Sequence, residues 1–165
     1  MRPECALKIA QIISTWSMIE DSFRTIYSMW LGDYMEQPGD LEPGWMALRQ
    51  HPASNLIFDR ITSLSMQIDL LLDLCEWREK DQFITLRDEI RPLLLRAGGK
   101  RNTVAHGVWG LADKYPDALI LVPTFGARVL YRPKDFDEII DFIAKAREPL
   151  TKLQTTVYQR RVKIG

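Results

Sequence analysis

The sequence predicts an all-α protein, an antiparallel four-helix bundle with a small β-hairpin between the third and fourth helices. Apolar residues recur at steps of three and four along four stretches, the pattern of a helix with one buried face. Over residues 118 to 131 two short β-rich runs are joined through Pro123 to Gly126 instead. The 165 residues suffice for a single helical domain over 1–165, with its hairpin at about 117–132.

The first helix is predicted over residues 5 to 31, ending near Gly32. Its apolar stripe contains Ile9, Ile13, Trp16, Phe23, Tyr27 and Trp30, and three further isoleucines widen it. A surface loop over residues 33 to 52 follows, marked by two Pro-Gly-type breakers. We interpret His51, which lies in that loop, as a solvated histidine.

The second and third helices follow with the same spacing. The second is predicted over residues 54 to 78, and Ser54 is a possible N-cap. The third starts near Asp81 and runs into Val108. Pro92 is expected to kink or restart it, and the Gly98-Gly99 pair weakens it by roughly 1 kcal/mol per glycine relative to alanine.

The fourth helix is predicted from about Lys134, with a bend at Pro149. Its apolar positions are Phe136, Ile139, Ile143, Ala146, Leu150, Leu153 and Val157. On the preceding hairpin, Arg128 and Arg132 are either substrate contacts or, more ordinarily, solvated residues of an exposed sheet face.

Composition and charge limit the possible functions. Twenty-two basic and 22 acidic residues give a formal net charge of zero, so any contact with nucleic acid must be focal. Cys5 and Cys75 are predicted to be buried thiols, and no Cys/His spacing fits zinc. No signal peptide and no membrane-spanning run is recognisable. We therefore expect a cytoplasmic protein without metal, cofactor or membrane partner.

A helical wheel divides the third helix into two stripes. The core-facing stripe contains Leu86, Ile90, Leu93, Ala97, Val104 and Val108. The opposite stripe contains Leu95, Gly99, Asn102, His106 and Trp109. We interpret the second stripe as a contact surface, where a second copy packs across a two-fold axis and brings two His106 side chains together. The alternative is that this face lies partly under the loop of residues 33 to 52.

Arg101 lies on the edge of the core-facing stripe, about 140° from His106 on a regular helix. A buried guanidinium needs an anionic partner, because leaving it unpaired costs several kcal/mol. Glu20 lies within the apolar face of the first helix. We therefore hypothesise that Glu20, or its neighbour Asp21, orients Arg101, the alternative being that Glu20 reaches solvent at the rim.

The segment "KRNTVAHGVWG", residues 100 to 110, carries a family resemblance. "RNTVAHG" is similar to the signature of HEPN domains, the higher-eukaryote and prokaryote nucleotide-binding superfamily, in which four to six residues separate an arginine from a histidine. Asn102, the glycine after the histidine and Trp109 resemble the "RN…AHG.W" form common in bacterial members. Glu20 in the first long helix also fits the family pattern, whereas the Gly98-Gly99 pair departs from it.

The resemblance implies a HEPN-type bundle that forms a homodimer with a shared cleft, as in many members that are metal-independent endoribonucleases. Arg101 and His106 would be the catalytic pair, and Asn102 would shape the site. Further candidates for substrate binding or site shaping are Glu20, Lys100 and Trp109. His106 would move protons at the RNA 2′-hydroxyl or the leaving 5′-oxygen, Arg101 would stabilise charge on the phosphate, and the product would carry a 2′,3′-cyclic phosphate or a related end.

Such an enzyme would be of the toxin or antiviral-defence type, with RNA as substrate and an antitoxin or regulatory protein as a possible partner. Two alternatives stay open. One is a non-catalytic HEPN-like module that binds nucleotides or proteins. The other is a structural helical dimer in which the motif is a coincidence.

Overall fold

A computed structural model of the chain describes residues 2–31, 52–123 and 125–162. It is mostly helical, with a small three-stranded antiparallel sheet between helices. The described residues form five helical stretches, the fourth of which has three consecutive segments. These elements are α1 (Pro3–Leu31), α2 (Pro52–Arg60), α3 (Leu64–Arg78), then α4 (Lys80–Thr85), a π-helical turn (Leu86–Ile90) and α5 (Arg91–His106), and finally α6 (Pro133–Val162).

The prediction of a helical protein with a small antiparallel sheet is confirmed, but the four-helix count is wrong. The predicted second helix is two helices, α2 and α3, separated at residues 61–63. At this break the Gln67 side-chain amide donates to the Ile61 carbonyl at 2.8 Å. The proline at position 52 opens α2, where its missing N–H costs nothing. Ser54 therefore lies inside α2 and is not its N-cap.

The predicted interruption of the third helix at Pro92 takes the form of the π-helical turn that directly precedes α5. A proline inside a regular helix removes one backbone hydrogen bond, and its ring clashes with the carbonyl four residues earlier. A π turn changes the hydrogen-bonding pattern at that place. The helix then continues to His106 and stops there, so the prediction that it runs into Val108 is wrong.

The chain groups into two compact units, each with its own buried residues. The first comprises residues 1–19 and 93–148, and the second comprises residues 20–92 and 149–165. Buried apolar residues of the first unit include Ile12, Trp16, Leu94, Ala97, Val104, Leu119, Phe136, Ile139, Ile143 and Ala146. Those of the second include Phe23, Trp30, Phe58, Ile68, Leu71, Leu86, Ile90, Leu150, Leu153 and Val157. All seven apolar positions predicted for the last helix are thus buried.

The sheet belongs to the first unit and has the order β1-β2-β3, all antiparallel. Its strands are β1 (Val108–Gly110), β2 (Leu119–Val122) and β3 (Val129–Tyr131). The predicted hairpin is β2 with β3 and is confirmed. The third strand, β1, was not predicted, because Val108 and Trp109 continue the apolar rhythm of the helix before them. Val108 is 67% exposed and therefore is not the core residue predicted from the wheel.

Both cysteines are buried free thiols, as predicted. Burial raises the pKa of Cys5, and it raises the pKa of Cys75 to about 12. Thiols with raised pKa values are poor nucleophiles and poor metal ligands, because the thiolate is the reactive form. Across the described residues, none of the helices is both long and apolar enough to cross a membrane.

Candidate functional site

The C-terminal half of α5 carries most of the predicted site residues. The helix has the sequence RPLLLRAGGKRNTVAH, with four Lys or Arg residues, a histidine at its end and no acidic residue. Positive charge near a helix C-terminus is favoured by the helix dipole. The motif is therefore located where cations are tolerated and where the helix itself supplies no carboxylate to neutralise them.

Arg101 is half-buried on α5 and only partly hydrogen-bonded. Its Nη1 donates to the Asn102 side-chain oxygen at 3.0 Å. Its Nε is buried and has no hydrogen-bond partner among the described residues. A buried donor without a partner costs about 1–3 kcal/mol. Arg101 thus lies at the edge of the packed face, and its guanidinium has donors to offer an incoming anion.

Asn102 and His106 are one helical turn apart and share an exposed face of α5. Gly99 lies on the same face, and apart from its chain neighbours and the backbone of α5 itself no described atom comes within 4 Å of where its Cβ would be. Leu95, one turn further back, is half-buried. Within the described part of the chain this face is therefore open next to the imidazole, so a ligand or a second protein can approach it.

Trp109 does not lie on this helical face, contrary to the wheel. It is on β1, and its indole Nε1 donates to the Val104 carbonyl at 3.1 Å. Its ring lies 5.3 Å from Tyr131 and 5.5 Å from Phe136, measured between ring centroids. The helical wheel does not apply to Trp109, because α5 ends at His106, three residues before it. Trp109 fastens the end of α5 to the sheet and so positions His106 indirectly.

Gly107, between His106 and β1, was missed as a positioning residue. A Cβ there would lie 2.5 Å from Leu121 Cδ1 and 2.6 Å from the Thr103 carbonyl oxygen, so a hydrogen is all that fits. Gly107 belongs to the motif, and a glycine directly after the last residue of a helix is a common C-terminal signal. It lets the chain turn from α5 into β1 immediately after His106.

Around the axis of a regular helix, Lys100 lies about 120° from His106, a separation similar to the roughly 140° of Arg101. Its Nζ is 5.4 Å from the centre of the Phe142 ring on α6. The Arg96 guanidinium lies over the same ring, at 5.1 Å. The structure thus places Lys100 beside Arg96 and Phe142, and its role in substrate binding or site shaping stays a prediction.

The acidic residues proposed to orient Arg101 lie in the second unit. Glu20 is half-buried on α1. Asp21 is exposed and accepts from Arg24 Nη1 at 3.4 Å, within a salt bridge between neighbouring turns. A contact of either carboxylate with Arg101 stays a prediction.

For two basic residues of the hairpin, Arg128 and Arg132, the alternatives are substrate contact and ordinary solvation. Arg132 lies 3.8 Å from an Asp117 carboxylate oxygen, and the side chains of both are more than half exposed. Arg128 is exposed. A solvated ion pair of this kind contributes little to stability, so the arrangement of Arg132 favours ordinary solvation.

No group of three or more His, Cys, Asp or Glu residues in the described ranges is arranged to hold a metal ion. Comparison of the chain with protein-family models, with curated proteins and with solved structures found no match. The functional argument therefore starts from the side chains at the end of α5.

Proposed function

We propose that this protein is a metal-independent endoribonuclease with a HEPN-type helical fold, active as a homodimer with a shared cleft. One observation carries the proposal. At the C-terminal end of α5, the side-chain amide of Asn102 accepts a hydrogen bond from the half-buried guanidinium of Arg101. The exposed imidazole of His106 lies one helical turn after Asn102. The helix that supplies His106, Asn102 and Arg101 has no carboxylate of its own.

These groups suit cleavage of an RNA phosphodiester by its own 2′-hydroxyl. The imidazole of His106 takes the 2′ proton, the 2′-oxygen bonds to phosphorus, and the bond from phosphorus to the 5′-oxygen breaks. The leaving 5′-oxygen takes up a proton from the protonated His106 imidazole of the second copy, which gives a 2′,3′-cyclic phosphate and a free 5′-hydroxyl. Arg101 stabilises the charge that develops on the phosphoryl oxygens, for which its planar array of donors is suited.

A second copy would complete the site. The reaction needs one group to accept a proton and one to supply it, and each chain offers one histidine in the motif. Gly99, Asn102 and His106 lie on an exposed face of α5, and Gly99 adds no side chain to it. Such a face can pack against its own copy across a two-fold axis, which brings two imidazoles to one cleft.

The resemblance of the motif to bacterial HEPN members favours a toxin or antiviral-defence role, with an antitoxin or regulatory protein as partner. The two buried free thiols support a reducing, cytoplasmic location. Activity in isolation would slow growth of the host cell, so expression of the active chain alone is expected to be toxic.

The test is cleavage of single-stranded RNA by the purified protein in EDTA. His106→Ala should lower the rate by about 10²- to 10⁴-fold, as loss of a general acid or base does. The matched control is His51→Ala, which removes the other histidine of the chain and should leave the rate unchanged. Helicity and molecular mass in solution should be the same for all three proteins.

Three results would speak against the proposal. Equal behaviour of the wild type and His106→Ala on every RNA tried would remove its support. RNA binding without cleavage would favour the non-catalytic nucleotide-binding module instead. A monomeric mass at working concentration would exclude the shared cleft.

A further inference from the structure

A cationic cluster that the proposed reaction does not use lies on the surface of the first unit. It consists of Arg96 and Lys100 on α5 and Phe142 on α6, and we call it the Phe142 cluster. The guanidinium carbon of Arg96 is 5.1 Å from the ring centre, and the Lys100 ammonium nitrogen is 5.4 Å from it. Two cations one helical turn apart thus share one aromatic ring.

Neither cation of the Phe142 cluster forms a salt bridge within the described part of the chain, unlike several other basic residues. Arg24 pairs with Asp59 at 3.1 Å, and Lys8 pairs with Asp137 at 2.6 Å. Like charges at positions i and i+4 of a helix destabilise each other. The ring offsets part of this repulsion. Because neither cation pairs with a carboxylate of the described residues, both are available to an anion.

The Phe142 cluster has a defined direction from the proposed reaction centre. Along the α5 axis, Lys100 lies about 9 Å and Arg96 about 15 Å before His106. Viewed along the axis, Lys100 and Arg96 are rotated from His106 by about 120° and about 80° in the same direction. Asn102 is rotated from His106 in the opposite direction. A nucleic-acid strand that crosses the helix end at His106 would therefore meet the cluster on one flank only.

We propose that the Phe142 cluster binds the phosphodiester backbone of the RNA on one side of the scissile phosphate. This inference rests on the proposed function and names its substrate class: a single strand of several nucleotides, because a single phosphate at His106 does not extend to Arg96. Arg96 and Lys100 are binding residues that contact phosphates through charge. Phe142 holds both cations in place and contacts no reacting atom.

The first experiment measures binding without cleavage. A fluorescent single-stranded RNA of 12 nucleotides is titrated into His106→Ala at several salt concentrations. The logarithm of the association constant falls as the logarithm of the salt concentration rises, and each phosphate contact on a single strand adds about 0.7 to the steepness of that fall. The double change Arg96→Gln and Lys100→Gln, added to that variant, should therefore make the fall shallower by about 1.4. The loss of affinity should be the same for RNAs of different sequence.

A matched control removes a cation from an equivalent environment elsewhere. Arg78 lies over the exposed Trp77 ring at 4.0 Å in the second unit. Arg78→Gln should leave both affinity and salt slope unchanged. The exchange Arg96→Lys with Lys100→Arg keeps both charges and should bind like the parent. If the double glutamine variant does not fold, the two single variants, each expected to lower the slope by about 0.7, decide the question.

The second experiment compares substrate lengths. With His106 intact, the double glutamine variant should cleave the 12-nucleotide RNA several-fold less efficiently, mainly through a higher KM. It should cleave a dinucleotide as well as the wild type does, because a dinucleotide has one phosphate. An unchanged salt slope, or equal losses on both substrates, would overturn the inference. If no RNA is cut by the wild type, the proposed function fails, while the binding experiment still decides whether the Phe142 cluster binds RNA.

Discussion

Two arginines, one in each unit, show opposite ways of using a guanidinium. Arg160 in the second unit donates from Nη2 to Asp81 at 2.6 Å, and its Nη1 donates to Asp81 and to the Glu79 carboxylate. These carboxylates raise the pKa of Arg160 above its ordinary value. Arg101 in the first unit donates to a neutral amide alone among the described residues, and its buried Nε has no partner there.

The difference indicates which basic residues are structural. A guanidinium that already donates to two carboxylates has few donors left for a ligand. Its removal leaves both carboxylates without a cation. A guanidinium bonded to one amide keeps its charge and several donors available. We call Arg160 with Glu79 and Asp81 the Arg160 clamp. Hydrogen bonding to carboxylates, more than residue type or position on a helix, therefore distinguishes the Arg160 clamp from the candidate site at Arg101.

The largest effect is expected for Arg101→Met. Loss of one donor that stabilises charge in the transition state should lower RNA cleavage by about 10²- to 10³-fold. Folding stability should stay the same or rise slightly, because the buried Nε without a partner is removed. Single-turnover cleavage and urea unfolding measure the two quantities. A large loss of stability with little loss of cleavage would mean that Arg101 is a structural residue like Arg160.

Arg160→Met should give the opposite pattern. The Glu79 side chain is 11% exposed, so removing its cation leaves a nearly buried carboxylate unpaired. We expect the free energy of unfolding to fall by about 1–3 kcal/mol and RNA cleavage to be unchanged. Arg160→Lys, which keeps the charge, should recover part of the loss in the same urea titration. An unchanged urea midpoint for Arg160→Met would show that the clamp contributes nothing to stability.

Two glycines of the first unit test how tightly the end of α5 is held. Gly107→Ala should lower stability by about 1–3 kcal/mol, because its methyl group would overlap a backbone carbonyl and Leu121. Gly99→Ala is the matched control: its methyl group would meet no described atom within 4 Å apart from its chain neighbours and the backbone of α5, and it should raise helix stability by up to about 1 kcal/mol. Thermal unfolding compares them. Equal melting temperatures for the two variants would contradict a steric role for Gly107.

The part of the fold that could be predicted from sequence is the part with an uninterrupted helical period. The last helix is the clearest case, since all its predicted apolar positions are buried. The break between α2 and α3 was not predictable from spacing, because Ile57, Ile61 and Leu64 carry the period straight through residues 61–63. For the same reason the spacing predicts helix where β1 lies, because Trp109 continues the apolar period of α5.

The motif residues were found from sequence, but their partners were not. Arg160 and Asp81 are 79 residues apart, and no local pattern joins them. Likewise, the sequence marks Lys100 as a candidate for substrate binding but does not reveal its neighbour, Phe142 on another helix. Spacing along a helix predicts which residues share a face. It does not predict which side chain of a different element lies opposite, and that contact decides whether a charge is neutralised.

The smallest expected effect concerns the pH dependence of the Arg160 clamp. Hydrogen bonds from Arg160 and then from Gln82 hold the pKa of Asp81 well below its ordinary value. A carboxylate with a lowered pKa in the folded state stabilises the protein above its unfolded pKa of about 3.9, and this contribution is lost as the pH falls towards the folded value.

Asp81→Asn should therefore reduce stability at pH 7 by less than about 1 kcal/mol, since the Asp81 side chain is 57% exposed and screened by solvent. The difference from the wild type should stay constant down to about pH 5 and shrink at lower pH. In the Arg160→Met background the same substitution should show a much smaller pH-dependent difference, because the main hydrogen-bond donor is gone. Urea titrations at several pH values measure this coupling. An equal pH-dependent difference in both backgrounds would mean that Arg160 is not what lowers the pKa of Asp81.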